Sequence, residues 1–305
     1  MTGRILVVGS INMDLVVRSP HLPRPGETTL GSNFRTFPGG KGANQAVAAA
    51  RLGAPVAMVG RVGQDAFGDA MLASLSANGV DVSCVRREMD AATGVALITV
   101  EDDTAENTII VASGANMRIT PEDVNASEEL FEGALLLVLQ LEIPLPTIQR
   151  AISLARRHGL LVILNPAPAQ TLGRGLIAGV DYLIPNEGEL LQLTGKNQVE
   201  SAVRWVQESG VKTLLVTLGE RGVRLINQDG ETQIPAFPVK AIDTTAAGDG
   251  FVGAFAVALA EGKTASQAAS WACASSAISV TRIGAQPSLP TRSEVESFLA
   301  ERGIR

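Results

Sequence analysis

The sequence predicts an α/β fold, in which a central, mostly parallel sheet carries helices on both faces and a small antiparallel β lid lies beside it. Two observations support this prediction. Short runs rich in branched aliphatic residues alternate along the chain with longer stretches whose apolar residues recur at helical spacing. The short runs are continuously apolar, which is typical of strands that are buried on both faces of a parallel sheet.

The elements of the main sheet follow from these two patterns. The runs that predict strands span 5–8, 56–59, 135–139, 161–164, 182–184 and 214–217. The stretches that predict helices between them span 42–52, 66–77, 121–131, 146–158 and 201–209. From residue 246 onward we expect mostly helix, with helix starts at Thr264 and Thr291, the latter in a capping box.

Two segments depart from this alternation and predict the lid. They span about 13–38 and 93–112, and each contains short β-like runs with polar alternation but no helix. We expect the two segments to meet in a small antiparallel sheet. No composition shift marks a linker and no repeat is present, so we expect a single α/β domain over residues 1–305 with the lid inserted in it.

Composition narrows the class of protein. The chain has 305 residues and a net charge of -6, and its Lys and Arg residues are scattered, which argues against nucleic-acid and membrane partners and favours small-molecule chemistry. Cys84 and Cys273 lack disulfide or zinc spacing, which fits a reducing cytoplasm. The chain opens on a predicted strand rather than a signal peptide, and no apolar run reaches the roughly 18 residues that span a bilayer. We therefore expect a cytoplasmic protein.

The most informative motif is the segment 243–249 (DTTAAGD), which leads into an apolar helical stretch. Free N–H groups and the helix dipole at a helix start attract anions, so a phosphate could settle on Ala246, Ala247 and Gly248. Asp249 would then lie within reach of a hydroxyl that attacks this phosphate. The alternative is that Asp249 only caps the helix through a backbone hydrogen bond.

A second glycine-rich helix start lies at 39–45 (GGKGANQ), before a long Ala-rich stretch. Three glycines around Lys41, followed by Asn44 and Gln45, suggest a surface shaped to accept hydroxyl groups, although a flexible turn is the simpler alternative. The segment lacks the spacing of a Walker A loop, which disfavours P-loop nucleotidases. The segment 248–253 matches Gly-x-Gly-x-x-Gly, but no strand leads into it and no acid follows about 20 residues on, so we reject dinucleotide binding.

Polar side chains follow five of the predicted strands. Open α/β sheets bind ligands beyond the carboxyl ends of their strands, and Asn12 and Asp14 come just after the first strand. Gln140 to Glu142, Asn165, the segment 186–189 and the segment 217–222 follow later strands. Each could be an ordinary turn, and Asn12 alone fits an Asx-turn equally well. Five such ends on one edge of one sheet favour a binding site.

Together these segments resemble the ribokinase-like (PfkB) family of carbohydrate kinases. The resemblance rests on 39–45 and 243–249, is supported by 186–189, 217–222 and 284–288, and covers essentially the whole chain. It implies ATP-dependent phosphorylation of D-ribose on its 5-hydroxyl, with Asp249 as the general base and Ala246, Ala247 and Gly248 as the anion hole. The physics agrees, because phosphoryl transfer depends mainly on positioning and charge stabilisation.

The resemblance also implies the ligand sets and the assembly. Its sugar contacts are Asn12, Asp14, Gly40, Lys41, Gly42, Asn44, Glu142 and Asp249. Its nucleotide contacts are Asn186, Thr217, Leu218, Gly219, Glu220, Arg221, Gly222, Gly248 and Cys273. Mg²⁺ would be held indirectly through Asn186 and Glu189, and K⁺ or another monovalent cation by Asp243, Thr245, Ser279, Arg282, Gly284 and Ser288. The family forms homodimers through its lid sheets, which implies a homodimer here.

Two alternatives remain open from the sequence. The substrate could be 2-deoxyribose or another small sugar or nucleoside of the same family, and nothing in the sequence chooses among them. A non-catalytic sugar-binding protein is the other alternative, which Asp249 and the intact helix start disfavour. Gly250, Val252 and Cys273 stand where the family often carries Thr, Asn and a polar residue, so the details of nucleotide contact are open.

Overall fold

The computed structural model describes residues 3–103 and 106–304. Its strands, in chain order, are β1 (Arg4–Val8), β2 (Asn12–Ser19), β3 (Ser32–Gly39), β4 (Val56–Gly63), β5 (Val80–Glu88), β6 (Gly94–Glu101), β7 (Asn107–Ala112), β8 (Ala134–Leu139), β9 (Leu161–Leu164), β10 (Tyr182–Leu183), β11 (Thr213–Thr217), β12 (Val223–Asn227) and β13 (Gly230–Ile234). Its α-helices are α1 (Lys41–Arg51), α2 (Ala66–Ala77), α3 (Pro121–Ala126), α4 (Leu145–Arg157), α5 (Arg174–Ile177), α6 (Glu187–Thr194), α7 (Val199–Gln207), α8 (Ala247–Ala260), α9 (Ala265–Ser279) and α10 (Arg292–Ala300).

The main sheet is mostly parallel, as the sequence predicts. Its strand order is β13-β12-β11-β10-β9-β8-β1-β4-β5. All neighbours from β11 to β5 run parallel, whereas β12 and β13 form an antiparallel hairpin at one edge. Because the central strands are parallel, their carboxyl ends lie along a single edge of the sheet.

Helices cover both faces of this sheet. In β1, Ile5 and Val7 pack into a core that includes residues of α1, α8 and α9. Leu6 and Val8, which point the other way, pack into a second core with residues of α3, α4, α6 and α7. This two-sided burial explains why the strand sequences are apolar throughout and do not alternate.

A second sheet lies beside the first, with the order β3-β2-β6-β7. Its outer pairs, β2 with β3 and β6 with β7, are antiparallel, while the central pair of β2 and β6 is parallel. Its strands fall within or next to the two segments that the sequence assigns to the lid; residues 104 and 105 of the second segment lie outside the described residues. The chain crosses from the main sheet to this one between Val8 and Asn12.

One predicted helix is shorter than the sequence suggests, whereas two predicted helix starts are confirmed. The predicted helix 121–131 ends as α3 at Ala126 and is followed by a short 3₁₀ helix, Glu128–Leu130. The helix starts at Thr264 and Thr291 are confirmed, each with a capping box. Among the described residues, none of the helices is long and apolar enough to cross a bilayer.

Candidate active site

The carboxyl ends of five neighbouring strands bring polar side chains to one edge of the main sheet. Strands β11, β10, β9, β8 and β1 lie next to one another in this order. Polar residues lie at or just beyond the ends of these strands. In the same order they are Thr217, Asn186, Asn165, Gln140 with Glu142, and Ser10 with Asn12. The sequence predicts this edge as a binding site, and the strand order makes its five ends contiguous.

Helices α1 and α8 cross closely above this edge, because Gly253 lies at their contact. A Cβ at Gly253 would lie 2.6 Å from Ala48 Cβ and 2.8 Å from the Gln45 carbonyl oxygen. Only glycine allows the two backbones to approach this far. The crossing carries Asn44 and Gln45 of α1 to the first turn of α8, where Asp249 lies.

Asp249 is buried, and its carboxylate accepts side-chain hydrogen bonds rather than capping the helix. Asn44 Nδ2 donates to Oδ2 at 2.9 Å, and Gln45 Nε2 donates to Oδ1 at 2.9 Å. The N-cap residue of α8 is Ala246, and no side chain caps this helix. The capping alternative for Asp249 therefore does not describe this geometry.

The start of α8 offers backbone N–H groups to an anion. Gly248 and Asp249 are the second and third residues of the helix, so their N–H groups have no carbonyl partner within it. The Ala247 N–H is already engaged, since it donates to the Thr244 carbonyl at 3.2 Å. Ala246 takes a left-handed conformation (φ 58°), which turns the chain into the helix. Of the three predicted anion-hole residues, Gly248 is the best placed to receive a phosphate oxygen.

A cleft of about 240 Å³ joins these features. It is lined by Lys41, Asn165, Ala167, Ile184, Asn186, Glu189, Thr217, Thr244, Ala246, Ala247, Gly248, Asp249 and Val252. The predicted base Asp249, the three anion-hole residues, the predicted nucleotide residues Asn186 and Thr217, and the predicted sugar residue Lys41 thus border one space. Lys41 lies near several carboxylates. Burial lowers the pKa of its ammonium group, but the negative charges, first that of Asp249, outweigh burial, and the net effect is a raised pKa.

The predicted sugar residues gather next to this cleft, where the chain crosses between the sheets. Glu142 Oε2 accepts hydrogen bonds from Ser10 Oγ at 2.5 Å and from the Lys41 backbone N–H at 3.2 Å. Gly40 has φ 87°, and a Cβ there would lie 2.6 Å from the Asn12 nitrogen, so the turn into α1 requires glycine. Gly42 is similarly close to Ser10, where a Cβ would lie 2.6 Å from the backbone nitrogen.

Asp14 is the most perturbed carboxyl group of this cluster. Burial, with the nearby negative charges of Glu142 and Asp249, raises its pKa to about 7, although Lys41 acts in the opposite direction. A carboxyl group that changes charge near neutral pH is typical of a functional site.

Of the predicted nucleotide residues, Asn186, Thr217 and Gly248 line the cleft. Asn186 and Glu189 form a capping box at the start of α6: Asn186 Oδ1 accepts from the Glu189 N–H at 2.7 Å, and Glu189 Oε2 accepts from the Asn186 N–H at 2.8 Å. Leu218, Gly219, Glu220 and Arg221 form a turn closed by the Leu218 N–H and the Gly222 carbonyl at 2.8 Å. Cys273 is different: it is buried in α9 within the hydrophobic core and does not line the cleft.

The predicted monovalent-cation residues come together behind the start of α8. Asp243 accepts hydrogen bonds from the Thr245 N–H at 2.9 Å and from the Gly284 N–H at 2.8 Å. Ser279 Oγ and Ser288 Oγ lie 2.8 Å apart. Arg282 instead pairs with Glu294 of α10, so its side chain is directed away from this loop. Hydroxyl and carbonyl oxygens are the donors that a hard monovalent cation requires.

Three buried residues of the site, Gln45, Gln140 and Asn116, are absent from the ligand sets that the family resemblance implies. Gln45 and Gln140 connect to Asp249 through hydrogen bonds, and Asn116 connects to Asn12. Their partners are about 100 or 200 positions away in the sequence, so no local pattern could indicate these hydrogen bonds. Gln45 lies within the 39–45 motif, which was its only signal.

The site combines a buried carboxylate, an uncapped helix start and a lysine in one cleft, and a cluster of hydroxyl-binding groups borders it. These features define a phosphotransferase for a small polyhydroxy substrate. The chain belongs to the pfkB family of carbohydrate kinases, whose family model matches residues 2–292. It is therefore a sugar kinase by family, and the resemblance inferred from the motifs is confirmed.

The chain is similar to several ribokinases over nearly its whole length. It is 44 % identical over 296 residues to ribokinase of Bacillus subtilis, covering 97 % of this chain and 99 % of that one. It is 42 % identical over 304 residues to ribokinase of Haemophilus influenzae, covering 98 % and 99 %. The solved structure of Arabidopsis thaliana ribokinase, complexed with ribose and ATP, matches with a TM-score of 0.91 at 36 % identity and covers 98 % of this chain and 99 % of that one.

Proposed function

We infer that this protein transfers the γ-phosphoryl group of ATP to the 5-hydroxyl of D-ribose and releases ribose 5-phosphate and ADP. The observation that carries this inference is the position of Asp249, a buried carboxylate that opens on a cleft between the α8 helix start and the polar cluster around Glu142. The full-length similarity to ribokinases supports ribose as the sugar.

Asp249 acts as the general base in this proposal. It accepts the proton of the ribose 5-hydroxyl while that oxygen forms a bond to the γ-phosphorus and the bond to the ADP oxygen breaks. The Gly248 N–H and the positive end of the α8 dipole stabilise the charge that develops on the transferred group. The Lys41 ammonium, which lines the same cleft, adds positive charge at this point.

The sugar lies between the two sheets. Asn12, Asp14 and Glu142 supply amide and carboxylate oxygens for its hydroxyls, and Asn44 presents a buried side-chain oxygen that has no hydrogen-bond partner among the described residues. Such an orphaned acceptor costs free energy unless a ligand donates to it. Gly40, Lys41 and Gly42 bring backbone to the same place.

ATP lies along the ends of β10 and β11, with its triphosphate directed at the start of α8. Asn186, Thr217 and Gly248 line this path, and the turn of Leu218, Gly219, Glu220, Arg221 and Gly222 continues it. Glu189 and Asn186 hold Mg²⁺ through water molecules, which fits oxygen donors at the rim of the cleft. When bound, Mg²⁺ neutralises charge on the phosphate oxygens. Cys273 supports this surface from the hydrophobic core and does not contact the nucleotide directly.

A monovalent cation, K⁺ in our proposal, is held by the loop that supports the start of α8. The residues concerned are Asp243, Thr245, Ser279, Gly284 and Ser288, chiefly through oxygens, with Arg282 at the margin. Within the described part of the chain there is no cluster of three His, Cys, Asp or Glu side chains that could hold a metal. A weakly charged ion bound by hydroxyl and carbonyl oxygens fits such a loop better than zinc does.

The second sheet serves as a lid on the single α/β domain and joins two copies in a homodimer. This sheet exposes large apolar side chains on both faces: Leu97 and Ile110, which are paired across β6 and β7, lie on one face, and Ile109 and Val111 lie on the other. Exposed apolar surface of this kind indicates a protein interface. Sedimentation of the wild type and of Ile110→Asp tests the dimer, which the variant should dissociate.

We also propose that the protein is cytoplasmic, because the reaction requires ATP.

ADP release from ATP, measured with D-ribose, 2-deoxyribose, fructose and adenosine, tests the function. We expect turnover to be highest with ribose and to increase when K⁺ is added. Efficient turnover of adenosine or fructose without turnover of ribose would contradict the assignment. Ribose binding by calorimetry with no ADP release would favour a non-catalytic sugar-binding protein instead.

A further inference from the structure

We propose that Gln45 is a positioning residue for phosphoryl transfer: it fixes the orientation of the Asp249 carboxylate, and Gln140 fixes Gln45. This inference rests on the proposed role of Asp249 as the base. It concerns two buried side chains that lie behind the cleft, since neither lines it.

The three side chains form a continuous hydrogen-bonded series. Gln140 Nε2 donates to Gln45 Oε1 at 2.6 Å, and Gln45 Nε2 donates to Asp249 Oδ1 at 2.9 Å. Gln45 is 1 % exposed and Gln140 is fully buried, so water does not compete for these bonds.

The surroundings of Gln45 determine which way its amide points. Its Nε2 faces two acceptors, Asp249 Oδ1 and Asn165 Oδ1, the latter at 3.2 Å. Its Oε1 faces the Gln140 donor. A reversed amide would place oxygen against two oxygens and nitrogen against nitrogen, so only one orientation satisfies all partners.

This arrangement fixes the plane of the catalytic carboxylate. Asn44 donates to Oδ2 and Gln45 donates to Oδ1, so both oxygens are tied and rotation about the Cβ–Cγ bond is restrained. Neutral amides do not titrate, so they hold the carboxylate without competing for the proton that it accepts. Since Asn44 is a proposed sugar contact, Gln45 is the donor whose contribution to the base can be separated from sugar binding.

Replacing Gln45 by Met tests this role, because Met has a similar length and no donor. A misplacement of about 1 Å at a reacting group costs roughly 10²-fold in rate. We expect Gln45→Met to lower kcat by about this factor, with KM for ribose and ATP within about twofold of the wild type. Gln140→Met should lower kcat by a smaller factor. Gln207→Met, at an exposed position of α7, is the matched control and should not change kcat.

A double variant separates positioning from a general loss of structure. In an Asp249→Asn background, Gln45→Met should cause no further decrease in kcat, because the carboxylate that it orients is gone. A further decrease equal to that in the wild-type background would overturn the proposal, and so would a wild-type kcat for Gln45→Met. If the wild type phosphorylates ribose in the same assay, either result rejects only the role of Gln45; absence of ribose turnover in the wild type rejects the proposed function itself. Should Gln45→Met not fold, Gln140→Met in both backgrounds decides by the same criterion.

Discussion

Asn116 Nδ2 donates a hydrogen bond to Asn12 Oδ1 at 2.6 Å, which connects the chain returning from the second sheet to a proposed sugar contact. The same Asn116 side chain also pairs with the backbone of Ile11: its Oδ1 accepts from the N–H at 2.9 Å, and its Nδ2 donates to the carbonyl at 3.2 Å. The segment through which the chain first enters the second sheet and the segment through which it finally leaves it are thus joined at one buried side chain.

Asn116→Ala should weaken ribose binding specifically. Asn12 loses the donor that orients its amide, and the buried Ile11 backbone groups lose their partner, which costs about 1–3 kcal/mol of stability. We expect KM for ribose to rise by about tenfold and KM for ATP to change little. Steady-state kinetics measure both, and Asn125→Ala at an exposed position of α3 is the control. An equal rise in both KM values would indicate general loosening instead.

Asp249→Asn should abolish most turnover and retain the sugar site. A general base contributes about 10²–10⁴-fold, so kcat should fall by that order. The new amide must also point its NH₂ group at the donor of Asn44 or of Gln45, which disturbs both. Calorimetry should still detect ribose binding. Asp229→Asn in the exposed β12–β13 turn controls for the loss of a charge, and near-normal kcat in Asp249→Asn would exclude this base.

Gly253→Ala should separate α1 from α8. The added methyl group would lie 2.6 Å from Ala48 Cβ and 2.8 Å from a backbone oxygen, so the helices must move apart. Overpacking of this kind costs about 1–3 kcal/mol, and we expect thermal stability and kcat to fall together. Gly175→Ala, where an added Cβ meets no atom within 4 Å, should leave both unchanged. Equal melting temperatures for the two variants would show that the crossing can relax.

The raised pKa of Asp14 predicts that the unliganded protein becomes less stable as pH rises. Its pKa is raised from 3.8 to about 7, so between these values the folded state holds a proton that the unfolded state has lost. As pH rises from 3.8 to about 7, the free energy of unfolding therefore decreases, and above about pH 7 this group causes no further decrease. Asp14→Asn removes the effect, so at pH 8 the variant should be more stable than the wild type by up to about 4 kcal/mol. Denaturation at pH 5 and pH 8 measures the difference, which should be smaller at pH 5.

The same group should make ribose affinity depend on pH. Charge-assisted hydrogen bonds are about twice as strong as neutral ones, so the ionised Asp14 should hold sugar hydroxyls more tightly. We expect ribose to bind about three- to tenfold more weakly at pH 6 than at pH 8. Calorimetry without nucleotide measures ribose binding separately from turnover. Asp14→Asn should bind weakly at both values; a pH dependence that persists in this variant would assign the effect to another group.

The sequence predicts the main sheet well because its strands are buried on both sides. The apolar runs at 5–8 and 161–164 therefore coincide with β1 and β9. Strand β5 and the β12–β13 hairpin were not predicted, since β5 mixes apolar with charged residues at the edge of the sheet. The parallel pairing of β2 with β6 depends on contacts between distant segments, which periodicity does not report.

The site could be predicted in part for a related reason. Asp249 and Lys41 belong to motifs with local meaning, and the structure places both in one cleft. The hydrogen-bond partners of Gln140 and Asn116 depend on which segments become neighbours in the fold; the sequence places Gln140 at the end of a strand but does not single out Asn116. Cys273 lies in the hydrophobic core together with its α9 neighbours Trp271, Ala272 and Ala274.

Helix α8 begins at a left-handed alanine and has no side chain to complete its first turn. The N–H groups of Gly248 and Asp249 therefore have no carbonyl partner within the helix, at the place where our proposal puts the triphosphate. A bound phosphate group supplies acceptors for these N–H groups, so part of the nucleotide's binding free energy comes from satisfying backbone donors at the start of α8. Binding of the phosphate and the local stability of residues 246–249 are thereby linked: each increases the other.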